Sequence, residues 1–306
     1  MKNLYQNVYL ILLAIVVVAS CAQPEQKKAD SEEMAELQEP SSDRYGGATL
    51  YTVRDHMWKN PDSTLQVISD IGYSYIEEAV GYRDRRFFGW TPEEFRSKLQ
   101  VLDLSPISTH QGGITLENAD TVIADVVAAG FQYLVIPIPP MGHFRVDPET
   151  RTMGMSDSLS FVTDVLNQIG RKCTDAGIKL LYHNHDFEFR ANDQGIIPIQ
   201  YFLENTDPQH VNFQMDLFWV TKADANPIEY FKRYPGRFKI WHVKDMDAEG
   251  KFAPVGRGVI NFGKIRSQKE LSGMEYYIVE QDQTFGLDPL EAIKISHAGL
   301  REFGFE

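Results

Sequence analysis

LLYHNHDFEF, residues 180–189, begins as an apolar run and breaks off into His183, Asn184, His185, Asp186 and Glu188. Those five groups can bind a metal or move protons. Alternate side chains of a strand share a face, so His183 and His185 are expected on one side and Tyr182, Asn184 and Asp186 on the other. Two imidazoles then look into one space. A lone histidine near a strand end commonly does no more than satisfy a hydrogen bond. Here, however, three further strand-like runs end in metal-capable residues: Met215-Asp216, Trp241-His242 and Val279-Glu280.

Outward from this stretch, extended apolar runs alternate with amphipathic ones. Strands are predicted at 49–53, 73–79, 105–110, 133–138, 179–185, 211–216, 238–243 and 276–280. Between them the 3.6-residue apolar spacing predicts helices at 64–71, 92–101, 116–129, 158–176, 198–204, 226–234, 261–270 and 289–303. Gly72, Gly130 and Gly177 stand where three of the helices should stop. A long loop containing Pro139, Pro140 and His143 follows the fourth strand. Eight strands alternating with helices in one domain predict a (β/α)8 TIM barrel, an α/β fold. The alternative is a doubly wound open sheet, but no G-x-G-x-x-G follows the first strand.

The 306 residues are 43% hydrophobic and 24% charged, enough for a large core, and the formal net charge is -13. Such an acidic chain lacks the basic face that phosphate neutralisation requires, so no nucleic-acid partner is expected. Residues 1–20 read as a secretory signal: Lys2 is followed by an apolar run at 8–18, too short to span a bilayer comfortably. Val18-Ala19-Ser20-Cys21 resembles a lipobox, which makes Cys21 the lipidation site and the protein an exported one, lipid-anchored in the bacterial cell envelope. The membrane is then a partner through that anchor only. Residues 21–45 have the composition of a flexible tether, and the barrel is assigned to 46–306. Cys173, the other cysteine, has no disulfide partner and reads as packing.

Active sites of TIM barrels gather at the C-terminal ends of the strands. Polar residues fall there throughout this chain: Glu77 and Glu78, His110, His183 and His185, Asp216, His242 with Lys244 and Asp245, and Glu280 with Asp282. Mixed nitrogen and oxygen ligands suit one divalent ion, with Mn, Zn, Co, Fe or Mg as candidates. Such an ion polarises a sugar carbonyl and acidifies the neighbouring C–H. The resulting enediolate isomerises, epimerises or eliminates according to where the proton returns or which group leaves.

Taken together, LYTVRD, IGYSYIEEAVGY, YHNHDFEF, QMDLFWV, HVKD, PVGRGVINF and YIVEQD resemble the xylose-isomerase-like TIM barrels. That family holds sugar isomerases and epimerases, inosose dehydratase and, more distantly, endonuclease IV. The resemblance implies a metal site of Asp216, His242 and Glu280. Where relatives read Glu-Asn-His this chain reads His183-Asn184-His185, so a histidine takes the place of the glutamate. His183 is assigned as the fourth ligand, and His185, Lys244, Glu78 and His110 as the catalytic candidates. Lys244 either stabilises an enolate oxygen or pairs with Asp245. Tyr82, Trp90 and Trp219 are candidates for stacking on a sugar ring, and Arg257, flanked by Gly256 and Gly258, for binding substrate.

The function expected is enolisation of a neutral sugar or keto-sugar by a metal-dependent isomerase or epimerase. A 3-keto-glycoside lyase or hydratase is the alternative enzyme, and a non-catalytic sugar-binding lipoprotein the alternative of another class. The partner expected is a small carbohydrate, and the reading leaves room for a homo-oligomer.

Overall fold

The structure, a computed structural model, describes residues 44–149, 153–155 and 158–306. The signal, Cys21 and nearly all of the tether lie outside the described residues. Among the described residues no helix is long and apolar enough to cross a membrane.

Eight parallel strands close into a barrel: β1 (Gly47–Thr49), β2 (Tyr75–Glu78), β3 (Ser105–His110), β4 (Tyr133–Ile136), β5 (Lys179–His183), β6 (Val211–Asp216), β7 (Phe238–Val243) and β8 (Tyr276–Val279). Each strand pairs with its sequence neighbours, and β1 closes the ring on β8. The main helices around it are α1 (Pro61–Ile71), α2 (Pro92–Val101), α3 (Ala119–Ala128), α4 (Leu159–Asp175), α5 (Pro198–Asn205), α6 (Pro227–Arg233), α7 (Phe262–Arg266) and α8 (Pro289–Glu302).

Sequence logic accounts for most of these bounds. Thr91 and Glu94 form a reciprocal capping box at the start of α2, satisfying donors that the first helical turn leaves unpaired. Along α4 the stripe Leu159, Val162, Val165, Leu166, Ile169 and Cys173 is buried, the face a helix must bury against a sheet. Cys173 is thus a packing residue, and burial pushes its thiol up to about 12.

The first strand is shorter and earlier than predicted. Leu50 N donates to Glu77 O at 2.8 Å as the last bond along β2, after which the chain turns into an unpredicted short helix, Arg54–Lys59. Gly47 is required by a close approach, because a Cβ there would lie 2.4 Å from the Tyr75 ring. The long loop after β4 holds a small hairpin of Phe144–Val146 and Met153–Met155.

The barrel interior is layered. Ile107, Tyr133, Val135, Leu181, Ile240 and Ile278 form an apolar cluster separate from the layer between sheet and helices. Two residues beyond Leu181, Ile240 and Ile278, on β5, on β7 and just past the end of β8, the same inward face carries His183, His242 and Glu280. Period-two alternation puts a polar layer directly above an apolar floor.

Candidate metal centre and active site

In the polar layer, one donor atom from each of His183, Asp216, His242 and Glu280 lies within 4.8 Å of all the others, and all four residues are buried. Asp216 ends β6 and caps the short helix Leu217–Lys222. Its Oδ1 accepts from Phe218 N and Trp219 N at 2.9 and 3.0 Å. Its Oδ2 faces the centre, 3.9 Å from His183 Nε2 and from His242 Nδ1. The cap that starts the helix also aims the carboxylate.

The layer fixes its own imidazoles. Glu77, fully buried on β2, accepts from Ser108 Oγ at 2.7 Å and from Gln214 Nε2 at 2.6 Å. A carboxylate only accepts, so Gln214 turns its Oε1 outward, where it takes bonds from His183 Nδ1 and His110 Nε2, both at 2.9 Å. With Nδ1 donating, a neutral His183 has its lone pair on Nε2, toward Asp216. His242 Nε2 lies 2.7 Å from Glu77 Oε1 while Nδ1 lies 2.9 Å from Glu280 Oε2. A ligand imidazole held from behind by a carboxylate is the usual arrangement around a protein-bound metal.

Charge is unevenly distributed. Lys244 Nζ lies 3.1 Å from Asp216 Oδ2, 2.7 Å from Glu280 Oε2 and 2.8 Å from Asp282 Oδ1. Burial opposes the charge on Lys244, but these carboxylates hold it well above its ordinary range. Burial likewise opposes a charge on His242, and Glu77 and Glu280 outweigh it, raising this imidazole well above its usual value. His183, by contrast, is lowered well below it by burial and by the neighbouring His242. A surplus of buried carboxylate beside neutral imidazole nitrogen is the donor chemistry that divalent ions satisfy, so the residues present fit one metal ion.

The cavity above this layer, about 180 Å³, is lined by Tyr51, His110, His183, His185, Lys244 and Asp282 among others. Strand β5 ends at His183, so His185 sits in a turn rather than in a strand. Its ring still lies 4.9 Å from that of His183, because Glu188 Oε2 accepts from His185 N at 2.8 Å and holds the turn. Burial, with help from Lys244, pushes His185 down to about 3, and its Nδ1 is buried without a partner among the described residues. That suits a neutral group bonding a substrate hydroxyl better than a base. Trp219 lies beside it, ring centroids 5.7 Å apart, and 5.4 Å from Lys244 Nζ.

Several expected residues lie elsewhere. Glu78 points out of the barrel: its Oε1 accepts from Val80 N at 2.7 Å and from Gly81 N, and its Oε2 from Thr109 Oγ1 at 2.7 Å. Alternation along β2 gives the inward place to Glu77, a residue assigned no role from sequence. Trp90 packs on α2, stacked on Phe95 at 6.2 Å with Lys98 Nζ 4.4 Å from its ring. Arg257 is exposed on its loop and is not part of the cavity wall. Tyr82 faces a neighbouring recess instead of the metal cluster. Asp245 does not pair with Lys244; its Oδ2 accepts from Gly256 N and Gly258 N, both at 3.0 Å. A Cβ at Gly258 would lie 2.3 Å from Asp245 Oδ1, so glycine is needed there. Gln214 and Asp282 join Glu77 as site residues without a role assigned from sequence. Gln214 had a usable signal: it lies two positions before Asp216 and so shares its face.

A closed parallel barrel with a buried His/Asp/Glu set at its C-terminal mouth defines a TIM barrel with a candidate metal centre. The chain belongs to the xylose isomerase-like TIM barrel family, whose model matches residues 65–302. It is similar to inosose dehydratase of Clostridium beijerinckii, 28% identical over 142 residues covering 40% of this chain and 47% of that protein. The chain thus spans about half the length of the curated relatives it matches. A solved sugar phosphate isomerase/epimerase from Parabacteroides distasonis is 25% identical with a TM-score of 0.72, covering 86% of this chain and 99% of the other. IOLI protein, solved with a zinc atom, shares the fold with a TM-score of 0.64 at 15% identity, covering 85% and 97%.

Proposed function

We propose that the protein is an exported, lipid-anchored enzyme that enolises a neutral sugar or keto-sugar with the help of one divalent ion, as an isomerase or epimerase. The observation that carries this reading is the set of four donor atoms within 4.8 Å, buried under an open cavity. The family's isomerases, epimerases and dehydratases of small carbohydrates support it. The localisation rests on the apolar run at 8–18 and on Cys21.

His183 Nε2, Asp216 Oδ2, His242 Nδ1 and Glu280 would hold the ion, which when bound supplies a Lewis acid for the sugar carbonyl. Asp282, at the edge of the cavity, takes the proton from the adjacent carbon, and Lys244 Nζ donates to the oxygen on which charge develops. His185 and His110 hold hydroxyl groups. Among the described residues Lys244 is the only ammonium in the cavity wall, and it is already engaged by three carboxylates, which disfavours a phosphorylated substrate. The likeness to inosose dehydratases supports a second outcome, in which the enediolate loses a β-substituent.

Protein purified without chelator is expected to carry about one equivalent of a divalent metal, and Asp216→Ala to lose metal and turnover together. Incubation of sugars and keto-sugars in deuterated water, read by NMR, should give label at the carbon next to the carbonyl. Retention of all carbons marks isomerisation, and release of a substituent marks elimination. A metal-free, inactive protein that binds sugar equally well with Asp216→Ala would overturn the reading in favour of a binding protein.

A further inference from the structure

The cavity does not end at the metal cluster. Ala79 and His110 line it on one side and line a second lobe on the other. The first lobe, about 180 Å³, is smaller than the roughly 300–1,000 Å³ of most small-molecule sites. The second adds about 300 Å³ and brings the whole into that range.

Hydrogen bonds, with those from Gly81 and Thr109 to Glu78 buried, hold the walls of the second lobe in place. Glu78 pins Val80 and Gly81 through their amides and Thr109 through its hydroxyl. Thr109 Oγ1 in turn accepts from Gln111 Nε2 at 2.8 Å. Gln111 is 5% exposed, and its Oε1 accepts no bond from the described residues. The Tyr82 hydroxyl donates to Asp125 Oδ2 at 2.7 Å, and Arg85 grips the same carboxylate at 3.0 and 2.7 Å. That fixes the Tyr82 ring. Asn118 Nδ2 donates to Gly113 O at 3.1 Å and closes the loop, while a Cβ on Gly113 would meet nothing within 4 Å. The wall therefore includes an aromatic ring, an amide acceptor and apolar Val80. Among the described residues it contains no ionisable side chain but the Tyr82 phenol, whose proton is engaged by Asp125, and the shared His110, which already lies 3.2 Å from the Glu77 carboxylate, so no free cation in it balances an anion.

We infer that this lobe binds the second ring of a glycoside whose reacting sugar carries the carbonyl and sits over the metal cluster, so that the substrate is an uncharged, carbonyl-bearing glycoside rather than a free monosaccharide or a sugar phosphate. The inference rests on the functional reading above, which places a sugar at that cluster. An aromatic or hydroxylated ring stacks on Tyr82 and accepts or donates within reach of Gln111. His110, shared by both lobes, stands at the junction where the bond between the two rings would lie.

Calorimetric titration of the metal-loaded protein with glucose, galactose, their α- and β-phenyl glycosides and glucose 6-phosphate tests this. At least one phenyl glycoside should bind roughly tenfold tighter than its parent sugar, and glucose 6-phosphate should bind no tighter than glucose. Gly113→Phe, which fills the lobe, and Tyr82→Ala, which removes its aromatic wall, should each bring the ratio of glycoside to parent affinity close to one. If the parent sugars bind and the second ring adds nothing, or if the gain survives in both variants with native circular dichroism, the assignment of the lobe fails while the functional reading stands. If neither sugars nor glycosides bind the metal-loaded protein, the assignment of the lobe fails, and the functional reading is decided separately by metal content and deuterium incorporation.

Discussion

At the N-terminal end of the barrel, Glu275 accepts from Lys179 Nζ at 3.0 Å and from the Tyr133 hydroxyl, with Lys239 Nζ 3.3 Å away. At the C-terminal end, Lys244 faces Asp216, Glu280 and Asp282 at comparable distances. The residue types are the same and their proportions are reversed. One carboxylate meets two ammonium groups below, and three carboxylates meet one ammonium above. The lower cluster is wet, with Glu275 and Lys179 side chains 36% and 52% exposed, whereas Lys244 is 1% exposed. Water solvates the ammonium groups that the single carboxylate does not balance, so the lower cluster is complete in itself. The upper cluster is buried and short of positive charge, which is how a site that awaits a cation differs from one that only ties strands together.

The largest effect expected to test this contrast is at Lys244. In Lys244→Met the three carboxylates lose their only ammonium, and breaking a buried ionic cluster from one side costs about 3–5 kcal/mol. A bound divalent ion should restore most of that loss. Denaturant unfolding with and without manganese checks both parts, and an equal loss in the two conditions would break the contrast. Next in size is Glu188, buried behind His185 with its carboxyl bonded to the Tyr182 hydroxyl at 2.7 Å. Burial pushes it up to about 7 from an ordinary 4.5. A carboxyl raised on folding supports stability fully below its unfolded value and loses that support as pH rises through the folded one. Between about pH 4.5 and 7 the wild type should therefore lose about 3 kcal/mol through this group. Glu188→Gln keeps the acceptor without the charge and should flatten that part of the profile, as measured by unfolding midpoints at pH 5 and pH 8.

Much of this arrangement was legible because strand periodicity is strict. The runs ending at His110, Asp216 and Val243 have their predicted bounds, and alternation alone places Leu181 with His183 and Ile240 with His242. Parity was the harder matter at β2, where Glu77 and Glu78 are adjacent and either can face inward. The register shift between Ile76 and Glu77 against β3 is not visible in one sequence. Ile76, packed in the layer under the helices, was the available signal that its neighbour Glu77 faces the other way. Trp90 and Arg257 lie on loops, where no period constrains direction. Asp282 follows the end of β8 and reaches Lys244 through a turn that only the folded chain defines.

The smallest expected effect lies at the lower cluster and sharpens the contrast from the other side. Burial tends to raise Glu275, but the Tyr133 hydroxyl and the Lys179 ammonium outweigh it and hold the carboxyl below its ordinary value. Its contribution is thus present above the unfolded value and lost as pH falls. Because the group is partly exposed, water screens the pairs, and exposed ion pairs contribute only about 0–1 kcal/mol. Glu275→Gln should then lower stability by less than about 1 kcal/mol at neutral pH. The loss should shrink in high salt, which screens exposed pairs far more than buried ones, and be the same with or without metal. Unfolding at low and high ionic strength, in parallel with Lys244→Met, decides the matter. A loss at Glu275 as large as that at Lys244, or one that metal repairs, would mean that the two ends of the barrel are not electrostatically distinct.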